Sequence, residues 1–232
     1  MSQNLQSAYV GYGDGAVSAE QRNRVLRNTY WLLALSMVPT ILGAWIGVTS
    51  GILRGMGPGM SAIVFLVGAF GFIFAIEKFK NSAAGVPVLL AFTFFMGLML
   101  SRLIGMVLGL ANGAGLIMTA FAGTGLIFLG MATASSVIKR DLTSMGKWLM
   151  IGAIMLLVAG IANIFLQSSA FMITIAVLAI GIFSAFILYD LKRVQDGLET
   201  NYISATLGVY LSLYNVFQSL LAILGIAGGS RD

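Results

Sequence analysis

The chain has 232 residues, of which 59% are hydrophobic and 9% charged, with a mean hydropathy of +0.97 and a formal net charge of +5. Soluble globular domains carry about 25% charged residues, so this composition excludes that class. With no cysteine and no histidine, disulfides, thiolate- or imidazole-held haem, iron–sulfur and zinc centres, and nucleophiles served by histidine are excluded too.

Residues 1–17 are polar and glycine-rich, with no apolar periodicity, and read as a disordered cytoplasmic tail. No basic stretch followed by an apolar run marks them as a signal peptide. "GYGD" at 11–14 and "YD" at 189–190 mimic the two halves of an intramembrane aspartyl protease. Such enzymes need both aspartates inside membrane helices, close enough to share a proton, and Asp14 lies ahead of every span. Ser18 followed by Gln21 fits a capping box, which predicts a helix from about Ala19 through Arg22, Arg24 and Arg27.

The membrane domain, 18–232, holds seven apolar runs at 29–50, 58–76, 85–109, 114–138, 147–167, 170–190 and 203–227. Each is long enough to cross a hydrocarbon layer of about 30 Å at 1.5 Å per residue. Lipid offers no partner to a free backbone N–H or C=O, so the runs are helices. The short alternating segments of a β-barrel do not occur. The expected fold class is all-α integral membrane with seven transmembrane helices.

Glycines recur at every fourth position from 43 to 59 and again at 105, 109 and 113. Such spacing lets helix backbones approach closely, within one chain or between copies of it, and 43–47 and 105–109 are the pairs inside spans. Arg102 sits about two turns from the outer end of the third span. It either snorkels to the headgroups or takes backbone carbonyls, Asn112 or Asn163 as acceptors. Asn163 is expected to bond another helix. Only Gln167, Ser168 and Ser169 separate spans five and six, which predicts a tight hairpin.

Basic residues set the orientation. With the N-terminus inside, the cytoplasmic set is Arg22, Arg24, Arg27, Lys78, Lys80, Lys139, Arg140, Lys147, Lys192 and Arg193, against Arg54 and Arg231 outside. The C-terminus is then periplasmic. The excess positive charge serves topology and contact with anionic lipid, not nucleic acid, for which no soluble basic face exists.

Asp190 closes the sixth span where a carboxylate is costly, and Lys192, Arg193, Asp196 and Glu199 follow it. The seventh span opens with a dense set of hydroxyls, amides and phenols, so it is expected to be enclosed by other helices. Tyr210, Tyr214 and Gln218 share one face at i, i+4, i+8. Ser212, Asn215 and Ser219 form a second polar stripe. Asp190 is read either as a solvated interfacial carboxylate paired with Lys192 or Arg193, or as a proton-sensitive latch against the head of span seven.

"YD" at 189–190, "ETNYI" at 199–203, "ATLGVYLSLYNVF" at 205–217 and "LLAILG" at 220–225 resemble the Bax inhibitor-1 family. "VLRNTYWLLALS" at 25–36 and "ANIFLQ" at 162–167 resemble its bacterial branch of FtsH-protease modulators. The resemblance implies six helices wrapped around a central seventh. It also implies a pair of facing aspartates associated with pH-sensitive calcium leak. Asp190 matches the first of the pair; Ser212 occupies the place of the second, in "VYLSLYN", so half the latch is missing. Ser212, Tyr210, Tyr214 and Asn215 are then the span-seven groups expected around Asp190, with Arg102 and Asn163 as further intramembrane polar residues.

The resemblance therefore implies a bacterial inner-membrane regulator that binds the FtsH protease and modulates it. The alternative is a cation leak channel of the same family. No enzyme, cofactor or metal is expected. The partners expected are the lipid bilayer, FtsH and further copies of the chain.

Overall fold

The computed structural model describes residues 17–53 and 55–229. The tail as far as residue 16, with Asp14, and the basic residues Arg54 and Arg231 lie outside them. The described residues form seven helices: α1 Ala19–Ser50, α2 Pro58–Phe79, α3 Gly85–Leu108, α4 Gly113–Val137, α5 Met145–Leu166, α6 Ser169–Gln195 and α7 Tyr202–Gly229. All seven are long and apolar enough to cross a membrane.

Local sequence sets the helix ends. The Ser18 hydroxyl accepts from the Gln21 N–H at 3.2 Å and starts α1 at Ala19. Gly51 stops the helix in the left-handed region, φ 63°, where its lack of a Cβ removes the strain. Pro58 opens α2, where its missing N–H costs nothing. The α5–α6 hairpin turns at Gln167, φ 50°, and Ser168 caps α6 by accepting from the Phe171 N–H. Asn201 caps α7: its side-chain oxygen accepts from the N–H groups of Ile203 at 2.9 Å and Ser204 at 3.1 Å. In the short loop before α5, Asp141 accepts from the Thr143 hydroxyl and N–H, which hold its carboxyl below the usual carboxylate range.

α7 is the core of the bundle. It touches α1, α2, α3, α4 and α6, whereas α5 packs on α6 and α2 and reaches α7 only through them. Of the most apolar stretch of α7, 44% is buried, against 6% for α5. Polar content follows this order: a helix rich in hydroxyls and phenols takes the centre, and the least buried, α5, is apolar but for Lys147 and Asn163.

The most extensive contact is between α1 and α3. Gly43 and Gly47 on α1 and Gly97 on α3 are pressed against the opposite helix. A Cβ on Gly43 would overlap the Phe94 carbonyl, one on Gly97 the Thr40 carbonyl, and one on Gly47 the Ser101 hydroxyl. The pair Gly105 and Gly109 behaves differently. Nothing lies within 4 Å of a Cβ on Gly105, and Gly109 meets only carbonyls of its own helix.

Helix order places the start of α1, the α2–α3, α4–α5 and α6–α7 loops at one end of the bundle. That end is cross-linked by side chains. Arg22 donates to the Gln195 carbonyl at 3.1 Å, and the Gln195 amide donates to Ser135 at 2.9 Å and Ser136 at 3.3 Å. Asn201 donates to the Lys80 carbonyl and to the Asn81 side chain.

Candidate functional site

The α6–α7 corner gathers the charged residues that follow the sixth apolar run. Lys192 pairs with Asp196 one turn on, and Arg193 lies 3.9 Å from Glu199 across the turn. The Arg193 guanidinium also stands over the Tyr189 ring, 5.7 Å from its centroid. Gly197 permits the reversal with φ +77°, and Val17 and Arg22 close over it. The beginning of α1 is thus seated on the corner.

Asp190 is half-buried, and neither Lys192 nor Arg193 forms an ion pair with it. Its carboxylate lies against α7 at Gly208, where a Cβ would come within 2.7 Å of Oδ2 and 3.1 Å of Cγ. Among the described residues no hydrogen-bond donor reaches it. Ser212, one turn further along α7, is 3% exposed and donates to the Gly208 carbonyl of its own helix at 3.0 Å. It therefore does not serve as the hydrogen-bond partner of Asp190. One turn in the other direction, the buried Ser204 Oγ has no hydrogen-bond partner among the described residues. Ser204, Gly208 and Ser212 follow at i, i+4, i+8 and share a face.

The second group of candidates lies on another face of α7. The Tyr210 phenol is 2.8 Å from the Thr40 hydroxyl on α1 and 3.4 Å from the Thr93 carbonyl on α3. Tyr214 donates to the Met96 carbonyl, also on α3, at 3.3 Å. These phenols tie three helices together and do not approach Asp190. Asn215 donates to the Leu211 carbonyl of its own helix at 2.8 Å.

Arg102 and Asn163 belong to the opposite end. Arg102 is exposed and donates to the Met56 carbonyl at 3.3 Å and the Ser61 hydroxyl at 3.2 Å. It takes a backbone carbonyl, but neither Asn112 nor Asn163, and it is exposed and does not line a polar interior. The Asn163 side chain accepts from the Ser168 N–H at 3.2 Å and so joins α5 to the head of α6.

Chemically the corner offers one carboxylate set against a flat glycine surface, flanked by a cation and a second acid beyond the turn. Gly208 is the residue that sequence reading missed. Its signal was present: a glycine midway between Ser204 and Ser212, on the face that must receive Asp190.

The geometry predicts energetic coupling between the two residues. Gly208→Ala alone should cost about 1–3 kcal/mol, because the carboxylate must move aside. Made on an Asp190→Ala background, it should cost almost nothing. Thermal unfolding of the two single variants and the double variant in detergent measures this, and additive losses would mean the two residues do not touch.

The family described as inhibitor of apoptosis-promoting Bax1 matches residues 22–229. The chain is 38% identical over 210 residues to the Escherichia coli K12 protein named modulator of FtsH protease YccA, covering 90% of this chain and 92% of that one. An uncharacterised protein of Pseudomonas aeruginosa is 38% identical over 91% of this chain and 94% of its own. An uncharacterised membrane protein of Vibrio cholerae is 36% identical over 89% and 91%.

Proposed function

The chain belongs to the Bax inhibitor-1 family, and from that premise we propose that it is a regulator of the bacterial inner membrane that binds the FtsH protease and modulates its activity. One observation carries the reading: a relative named for modulating that protease matches nine-tenths of both chains at 38% identity. The architecture supports it at the end of the bundle where α1 begins. There the loops are fastened to one another by Arg22, Gln195 and Asn201. The first turns of α1 carry Glu20, Gln21, Arg24 and Arg27 exposed. A cross-linked platform with an exposed charged helix is a surface that a large partner can grip, and the basic bias supports a cytoplasmic side for it. On α7 no second carboxylate stands where Ser212 does, so regulation and not ion conduction is the proposal.

Co-purification in mild detergent tests it. The full chain should retain FtsH and change the turnover rate of an FtsH membrane substrate. Arg24→Glu with Arg27→Glu should weaken retention at least tenfold without lowering the amount of folded protein. Absence of binding together with unchanged substrate turnover would defeat the reading.

A further inference from the structure

α1 has 32 residues and at 1.5 Å per residue is roughly 48 Å long, against a hydrocarbon layer of about 30 Å. About a third of it must stand outside the hydrocarbon. Composition says which third: Glu20, Arg22, Arg24 and Arg27 precede Tyr30 and the exposed Trp31, a residue that favours the headgroup boundary. The first turns of α1 and the last turn of α6, Lys192–Gln195, therefore lie at headgroup depth.

At that depth the two helices form an open pocket of about 100 Å³, lined by Ala19, Arg22, Asn23, Leu26 and Gln195. Its electrostatics are one-sided. Arg22 is half-buried, and among the described residues no carboxylate lies within ion-pair distance of it. One guanidinium N–H is spent on the Gln195 carbonyl at 3.1 Å, which fixes the side chain at the cavity wall. The Gln195 amide is turned away to Ser135 and Ser136. The remaining guanidinium donors and the Asn23 amide are left without an anionic partner, above an apolar floor at Leu26.

We propose that this cavity binds the phosphate of an anionic membrane lipid, held by Arg22 and Asn23, with the glycerol over Leu26 and the acyl chains running down the outer face of α1. The volume admits a phosphate group. A site at headgroup depth with an apolar floor suits a ligand that is itself anchored in the bilayer. The site is saturable and local, unlike the diffuse attraction of the surrounding lysines and arginines. It does not rest on the protease reading.

Native mass spectrometry of the full chain in detergent, titrated with phosphatidylglycerol, phosphatidylcholine or inorganic phosphate, tests it. The parent should bind one phosphatidylglycerol about tenfold more tightly than phosphatidylcholine, as a charge-assisted contact allows. Arg22→Gln should lose that factor, while Arg24→Gln, which removes the same charge from an exposed position, should keep it. If Arg22→Gln fails to fold, Ala19→Glu carries the test. An acid in the first turn suits the helix dipole and preserves the fold, yet places a carboxylate at the cavity mouth. Ala19→Glu binding as well as the parent would overturn the proposal. Equal loss in Arg24→Gln would do the same, by showing surface charge alone. Displacement of the lipid by millimolar phosphate would reassign the site to a free anion and overturn the lipid assignment.

Discussion

Gly97→Ala should destabilise the protein by about 3 kcal/mol, whereas Gly105→Ala, the same change on the same helix, should stabilise it by about 0.5–1 kcal/mol. The opposite signs follow from what each new methyl group meets. At position 97 it overlaps the Thr40 carbonyl and crowds the Ala44 nitrogen, both main-chain atoms of α1 that cannot swing aside. The only relief is to push α1 and α3 apart along their whole contact, which is the largest in the molecule. At position 105 there is open space within 4 Å, so the methyl simply reduces the freedom of the unfolded chain. Unfolding temperatures of both variants in the same detergent decide the matter. A loss at both positions, or at neither, would mean that close approach of α1 and α3 does not hold the bundle together.

Tyr210→Ala should be the most damaging change on α7, at about 3–5 kcal/mol, a fall in Tm on the order of 10 °C. The side chain is the largest of the fully buried ones, at 1% exposure, with the rings of Phe92 and Tyr214 packed at 6.0 and 6.3 Å. Truncation leaves a void between α7 and the α1–α3 pair, which is itself pinned by its glycines, so the site cannot readily collapse. Tyr210→Phe separates the two contributions. It keeps the ring and removes only the hydroxyl that meets Thr40 and Thr93, so it should cost about 0.6–1.7 kcal/mol, the range for hydrogen bonds between membrane helices. If Phe proved as harmful as Ala, the hydroxyl and not the packing would hold α7 in place.

The helices were legible because two strong signals coincide in them. Apolar runs of bilayer length leave the backbone no choice but helix, and punctuation such as Ser18, Gly51, Pro58 and Gln167–Ser169 sets the ends. α6 departs most, running on to Gln195 where the apolar run ends at Asp190. Lys192 and Arg193 are good helix formers that suit a C-terminal turn, so hydropathy stopped before the helix did. The central place of α7 was also legible, since so many polar groups cannot face lipid. Glycine spacing was a poorer guide. The pairs 43–47 and 105–109 look alike in one dimension, and only one faces a neighbour, because which side of a helix meets its partner is decided by tertiary packing. The same limit explains the Asp190 corner. Sequence put Asp190 beside α7, but Ser212 is turned by a local bond to its own backbone, a habit of serines in membrane helices. The residue actually facing the carboxylate has no side chain to be noticed.

The central position of α7 has a consequence for how the molecule is made. Synthesis proceeds from the amino terminus, so the helix that the others surround is the last of the seven to leave the ribosome. Until it arrives, Thr40 and the carbonyls of Thr93 and Met96 have no phenol from α7 to meet them, and Gly85 has no Ile203 against it. The first six helices must wait in the bilayer around a seam lined with such groups. An interrupted chain, stopped anywhere before Tyr202, keeps that seam open to lipid and stays recognisable as unfinished. Completion is sealed at one corner, when Gly208 comes to rest against Asp190. For this chain, the last of the seven helices to be made is the one that closes the core.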